Sequence, residues 1–346
     1  MDTLQERVLA MIAGDSSERF DDLALEVFAF QYEHNPHYRA YCDRQPKVRH
    51  WKDIPAVPTT AFKDFEMTCF PVEQAVAEFH TSGTTGAKPG KHFFKTFELY
   101  DTAIRPNFAA HLQPDGAQLP MQILTPSPEE APHSSLSHMM RVVAVGETEF
   151  YVRDGTLEIE RLVRDLCEIQ WAHQPVLLLG TAFAFVHLFD HCAKENLRFE
   201  LAEGSRAMET GGFKGRAREM TKNELYARFE RVLGIPPARV VNEYGMTELS
   251  TQFYDETLQI GHQSDLKLVP PWARVLVIDP NTGREAAINE RGLIRVYDPA
   301  NLWSIMCVQT EDLGILRGQG KIEVLGRAAG TEVRGCSLTA EAFSTK

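Results

Sequence analysis

Short apolar runs alternate with helical stretches through the middle of this chain, and that alternation restricts the fold more than any other feature of the sequence. Residues 121–125 (Met-Gln-Ile-Leu-Thr) read as a buried strand stopped by Pro126 and Pro128, and a second short strand lies near Phe150, Tyr151 and Val152. The spacing then predicts a helix over 157–171. An apolar strand follows within 175–180, and Thr181 stands where it can cap a further helix over 182–195. Short strands separated by helices of roughly ten to fifteen residues imply an α/β architecture with mostly parallel sheets.

From Trp272 onward the pattern changes. Residues 273–278, the turn Asp279-Pro280-Asn281-Thr282-Gly283 and residues 292–297 have the form of a hairpin, which 313–316 and 321–325 extend. We therefore expect an α/β core over 1–270 and a smaller β-rich subdomain over 271–346. The core opens with two or more helices carrying Leu4, Val8 and Ile12, then Phe20, Leu23 and Val27. The stretch 46–70, punctuated by Pro55 and Pro58, leads toward a strand ending near residue 80; residues 92–95 read as another strand and 96–112 as a helix. With 346 residues, 43% of them hydrophobic, the chain can build a sizeable core.

A net charge of −12 argues against nucleic acid or an anionic membrane as partner. The most apolar run, 176–189, is broken by Gly180 and His187 and is too short to span a bilayer. The six cysteines lack Cys-x-x-Cys spacing, so neither a zinc knuckle nor a disulfide framework is indicated, and a reducing, cytoplasmic location is expected. Composition leaves a homo-oligomer open.

The densest chemistry lies in residues 78–92. Within it Ser82-Gly83-Thr84-Thr85-Gly86 is followed by Lys88, Gly90 and Lys91. Glycines let successive backbone N–H groups face one concave side, hydroxyls add donors on short arms, and lysines add charge; the product is a loop suited to phosphate. Gly211-Gly212, after a short strand, allows a flat ring to approach the backbone. Asn242-Glu243-Tyr244-Gly245-Met246-Thr247-Glu248 combines an aromatic wall, a short hydroxyl donor and a hard oxygen ligand for magnesium. His187 and His191 share a helix face, but the glutamate of a His-Glu-x-x-His site is missing and Val186, Leu188 and Phe189 surround them, so they read as part of an ordinary packed helix.

Together with Gln309-Thr310-Glu311-Asp312-Leu313-Gly314 and Gly326-Arg327, these segments resemble in order the motifs of adenylate-forming enzymes, the superfamily of acyl-CoA synthetases, luciferases and nonribosomal adenylation domains. The resemblance implies that ATP is bound with Mg²⁺. Ser82, Gly83, Thr84, Thr85, Gly86 and Lys88 would hold the β- and γ-phosphates, and Gly211 and Gly212 would border the adenine. Tyr244, followed by Gly245, would pack beside the base, Thr247 would meet the α-phosphate and Glu248 would hold the metal. Asp312 would accept the ribose hydroxyls, Arg327 would be the hinge arginine, and His138 would shape the carboxylate pocket. Two departures stand out: Glu311 replaces a glycine, and Ala328-Ala329-Gly330-Thr331 replaces the acidic hinge residue.

Most superfamily members continue into a mobile domain bearing a catalytic lysine, and the expected fold here lacks that full C-terminal domain. Its ending, Glu332-Val333-Arg334-Gly335-Cys336-Ser337-Leu338, instead resembles the LuxE-type acyl-protein synthetases, whose Arg-Gly-Cys-Ser segment carries the acyl-accepting cysteine. That resemblance implies a carboxylic acid substrate, by family analogy a fatty acid, activated as acyl-AMP and passed to Cys336 for delivery to a reductase-like protein partner. Gly335 beside it would give access to the thiol, and Arg334 nearby would favour its thiolate. Two further readings stay open at this point: a CoA ligase similar to phenylacetate-CoA ligase, and a nucleotide-binding partner without turnover.

Overall fold

A computed structural model of the chain describes residues 3–81, 88–211, 220–318 and 320–328. Five parallel strands, Met121–Pro126, Thr148–Arg153, Leu177–Thr181, Arg206–Thr210 and Val240–Tyr244, form the middle of a seven-stranded sheet. Short antiparallel strands, Thr156–Leu157 and Phe253–Tyr254, close its two edges. Neighbouring residues of each inner strand enter opposite cores. Ile123, Leu177, Leu179, Met208 and Val241 join one, while Leu124, Leu178, Ala207 and Val240 join the other. Burial on both faces is why these strands read as unbroken apolar runs, and it bears out the expected α/β class.

Helices Ile159–Trp171, Ala182–Lys194 and Lys222–Leu233 cover one face, and Glu98–Leu112 and Ser135–Val143 cover the other. Thr181 caps its helix as expected, its hydroxyl accepting the Ala184 N–H at 3.1 Å. The expected helix over 157–171 begins at Ile159, because Leu157 and Thr156 pair with Val152 and Arg153. Ladder hydrogen bonds there outweigh helical periodicity.

The second sheet runs in the order Leu266–Leu268, Lys321–Arg327, Cys307–Leu316, Arg291–Tyr297, Arg274–Ile278, antiparallel throughout. It contains the expected hairpin. Val57–Pro58 adds to it, parallel to Cys307–Leu316, a pairing that nothing local in the sequence announces. A separate hairpin joins Ala77–His80 to Lys91–Phe94. Helices Leu4–Ala13 and Phe20–His34 pack on the second sheet, where Val8, Ile12, Leu23 and Val27 meet Trp272, Leu276, Tyr297 and Met306. Among the described residues no helix is long and apolar enough to cross a membrane.

Candidate active site

In open α/β sheets ligands bind outside the carboxyl ends of the strands, where the strand order reverses. Here the order reverses between Met121–Pro126 and Leu177–Thr181. Two of the singled-out segments leave from carboxyl ends nearby. Gly211 follows Arg206–Thr210 at φ 75°, in the left-handed region that favours glycine, and Gly245 follows Val240–Tyr244. The Glu243 carboxylate accepts the Thr210 hydroxyl and so ties the two strand ends together. A Cβ at Gly245 would run into that same carboxylate. Burial pushes Glu243 up to about 7, against the opposing pull of the Thr210 hydrogen bond.

The foot of the hairpin lies alongside. The Thr81 N–H donates to the Gly90 carbonyl at 2.9 Å, and the Gly90 N–H donates to the Thr81 hydroxyl at 2.8 Å, closing the base from which residues 82–87 depart. Thr247 docks on this base. Its hydroxyl donates to the His80 carbonyl at 3.2 Å and lies 3.4 Å from the Ser135 hydroxyl at the start of a helix. Its carbonyl accepts the His92 Nδ1–H at 2.7 Å. Burial pushes His92 down to about 4, although the bond to Thr247 works the other way, so the ring is neutral at neutral pH. Lys88 is exposed next to this base. Ser82, Gly83, Thr84, Thr85, Gly86, Gly212 and Cys336 lie outside the described residues.

From the second sheet, Asp312 accepts the Tyr244 hydroxyl at 2.9 Å and sits opposite Arg327 in the strand register. Arg327 pairs with Glu311, the residue standing where the resembled motif has glycine. Burial works to lower the Arg327 pKa, yet Glu311, then Asp312 and Glu248, outweigh it and leave it raised. Glu248 is buried, and its carbonyl accepts the Asn301 side-chain amide at 2.8 Å. Tyr244, Asp312, Arg327 and Glu248 thus come together between the two sheets, while Thr247, next to Glu248 in the chain, docks on the hairpin base. His138 lies one helical turn beyond Ser135. Its Nε2 is 2.7 Å from an Asp101 carboxylate oxygen, and its ring stacks on Phe97 with centroids 4.0 Å apart.

Three contributors escaped the sequence reading. His92 and Glu243 lie within segments that were recognised but had no role assigned, and their position there was the available signal. Lys267 gave none. It is buried, its ammonium donates to the Asn242 carbonyl at 2.9 Å, and it lies 3.4 Å from Asp255, whose carboxylate also accepts the Asn242 N–H. Burial pulls Lys267 down to about 8 while Asp255 holds it up, and the pair fixes the segment that begins at Asn242. The cysteines Cys42, Cys69, Cys167, Cys192 and Cys307 are free thiols.

This chain is similar to several known proteins. The sequence model of the family described as "Acyl-protein synthetase, LuxE" matches residues 2–344. The long-chain-fatty-acid–luciferin-component ligase of Aliivibrio fischeri is 25% identical over 94% of this chain and 88% of its own length. The ligase of the same description from Vibrio harveyi is 21% identical, over 92% of this chain and 87% of its own. Among solved structures, a 2-hydroxyisobutyryl-CoA ligase in complex with 2-HIB-AMP and CoA superposes with a TM-score of 0.63 at 16% identity, over 87% of this chain and 72% of that one. ATP-bound MatB from Rhodopseudomonas palustris gives 0.54 at 16% identity, over 76% of this chain, which spans half the MatB chain. These two likenesses speak for the fold, and the match along nearly the whole sequence speaks for the family. The chain belongs to the LuxE family of acyl-protein synthetases and is an ATP-dependent acid ligase built on the adenylate-forming fold.

Proposed function

We propose that this ligase activates a long-chain fatty acid as acyl-AMP and transfers the acyl group to its own Cys336, from which a reductase-like protein receives it. In the first step a carboxylate oxygen attacks the α-phosphorus of ATP and the bond to pyrophosphate breaks. In the second, the Cys336 thiolate attacks the acyl carbon, the bond to AMP breaks, and a thioester remains. A carboxylate is a poor electrophile until its oxygen becomes a leaving group, which is the physical reason for two steps. A reducing compartment such as the cytoplasm would keep the thiol available.

The observation that carries this reading is the meeting of Thr247 with the base of the 81–90 segment on one side and of Tyr244 with Asp312 on the other. The donor set suits a nucleotide. Asp312, oriented by Tyr244, is an acceptor for a ribose diol, Thr247 would turn its one hydroxyl proton from the His80 carbonyl to the α-phosphate, and Ser82, Thr84, Thr85, Lys88 and the glycines Gly83 and Gly86 would hold the outer phosphates. Gly211 and Gly212 would border the adenine, with Arg327 at the ribose side and His138 near the acid. Glu248 offers the hard oxygen that Mg²⁺ prefers, and that ion, when bound, would supply charge neutralisation on the phosphates. The acid and the protein acceptor are inferred from the relatives, described as ligases of a long-chain fatty acid and a luciferin component.

Incubation with ATP, Mg²⁺ and palmitate, followed by mass spectrometry, tests the reading. We expect an acyl adduct on Cys336 that hydroxylamine removes and that Cys336→Ser abolishes, while carboxylate-dependent exchange of pyrophosphate into ATP survives in that variant. Acyl-CoA formation by Cys336→Ser would instead identify a CoA ligase. ATP binding without exchange in the wild type would identify a nucleotide-binding protein without turnover.

A further inference from the structure

Glu78, His80 and His133 form the one cluster of potential metal ligands among the described residues, with one ligand atom from each lying within 4.8 Å of the others. We propose that these three side chains bind a borderline-soft divalent cation of the Zn²⁺ class, at a site separate from the Glu248 carboxylate.

Beyond proximity, the hydrogen bonding of the cluster points to a ligand site. The His133 Nδ1–H donates to the Glu78 carbonyl at 2.8 Å, which fixes the tautomer and leaves the Nε2 lone pair available; ligating histidines are usually held by such a backbone bond. The backbone is pinned as well, since the His80 N–H donates to the His133 carbonyl at 2.9 Å. The His80 and His133 rings stand parallel, 3° apart in orientation with centroids 4.3 Å apart; because the nitrogen lone pairs lie in the ring planes, the rings must turn out of this stack for both to reach one ion. His80 Nε2 is 2.5 Å from Glu78 Oε1. Donor atoms around a tetrahedral zinc are about 3.3–3.5 Å apart, so ligation needs this pair to separate by about an ångström and the two imidazoles to rotate.

The donor set selects the ion. Two imidazoles and one carboxylate suit Zn²⁺, Co²⁺ or Ni²⁺, whereas Mg²⁺ prefers oxygen ligands alone. Three protein ligands leave a position for water. The Lys91 ammonium, 2.9 Å from the same Glu78 oxygen, occupies the carboxylate and competes with a cation. Lys91 is about 42% exposed at its side chain and can swing away. The position matters for the ligase because the carbonyl of His80 accepts the Thr247 hydroxyl, and an ion here would clamp the hairpin base to the loop at His133.

The test is isothermal titration of the full chain, stripped with EDTA, with ZnCl₂ and separately with MgCl₂, and no nucleotide present. The expected result is one Zn²⁺ equivalent whose affinity falls at least about tenfold in both His80→Ala and His133→Ala. That equivalent should bind more tightly in Lys91→Ala, a gain that a misfolded variant cannot mimic. Mg²⁺ should fail to displace it, and Co²⁺ should show the visible bands of a four- or five-coordinate ion that disappear in His133→Ala. Unchanged Zn²⁺ affinity in the two histidine variants, no binding by the wild type, or a Lys91→Ala variant that binds no tighter would overturn the proposal. Since every readout is taken without ATP or acid, its failure is distinct from failure of the ligase reading.

Discussion

Glu243 sits between Tyr244 and Asn242 in the recognised motif, yet its contribution is a buried carboxyl held against Thr210. Its pKa is raised from an ordinary 4.5 to about 7 by burial. An acid raised in the folded state stabilises the fold fully below pH 4.5, and that contribution is lost as pH rises toward 7, where the unfolded chain alone is already ionised. His92 acts in the opposite sense: lowered from 6.5 to about 4, it contributes stability above pH 6.5 that is lost as pH falls toward 4. We therefore predict that Glu243→Gln matches the wild type near pH 4.5 and gains on it as pH rises, by on the order of 2–3 kcal/mol at pH 7.5. Urea denaturation at several pH values checks this, and parallel pH curves would refute it. At this scale the residue types of Tyr244, Thr247 and Glu248 were legible because hydroxyl, carboxylate and aromatic ring each suggest a job. Lys267 was not, because a lysine that ends up buried looks the same in sequence as a solvated one.

The elements of the parallel sheet were legible for a related reason: strands covered on both faces must be apolar throughout. Gly180 is where that close packing leaves no room. A Cβ there would lie 2.9 Å from the Cβ of Leu124 on the neighbouring strand and 3.2 Å from the Phe185 ring on the following helix. Gly180→Ala should cost about 1–3 kcal/mol by overpacking, seen as a lowered melting temperature with the far-ultraviolet circular dichroism of the native state retained. A neutral effect would mean that the strand and helix separate more readily than their packing implies. Element ends were less legible. Thr156–Leu157 became an edge strand and Cys307–Leu316 a ten-residue strand with a register shift at Leu313/Gly314, and both depend on partners remote in the chain.

At the scale of the molecule, the N-terminal helices were foreseen as amphipathic but their partner was not. Gln31 shows what secures them. Fully buried, it donates to the Asn301 and Leu302 carbonyls at 2.9 and 3.1 Å and accepts the Met306 N–H at 3.0 Å. Gln31→Ala would leave three backbone groups without these bonds, and a buried group so stranded costs about 1–3 kcal/mol. We predict a loss of about 2–4 kcal/mol in denaturant titration, with water recovering part of the difference. Gln31→Met, similar in volume but apolar, should not restore it; full recovery would mean that packing rather than hydrogen bonding holds the helix.

By itself the sequence determined the α/β class, the family and the chemical types gathered in the motifs, since periodicity, breakers and functional groups are local properties written residue by residue. Only the tertiary structure decided that Thr247 rests on the base of a hairpin more than 150 residues earlier, that Tyr244 bonds Asp312 across two sheets, and that His80 stacks on His133. Those meetings depend on the direction in which buried side chains point once two sheets have packed, and chain-local patterns carry no information about that direction.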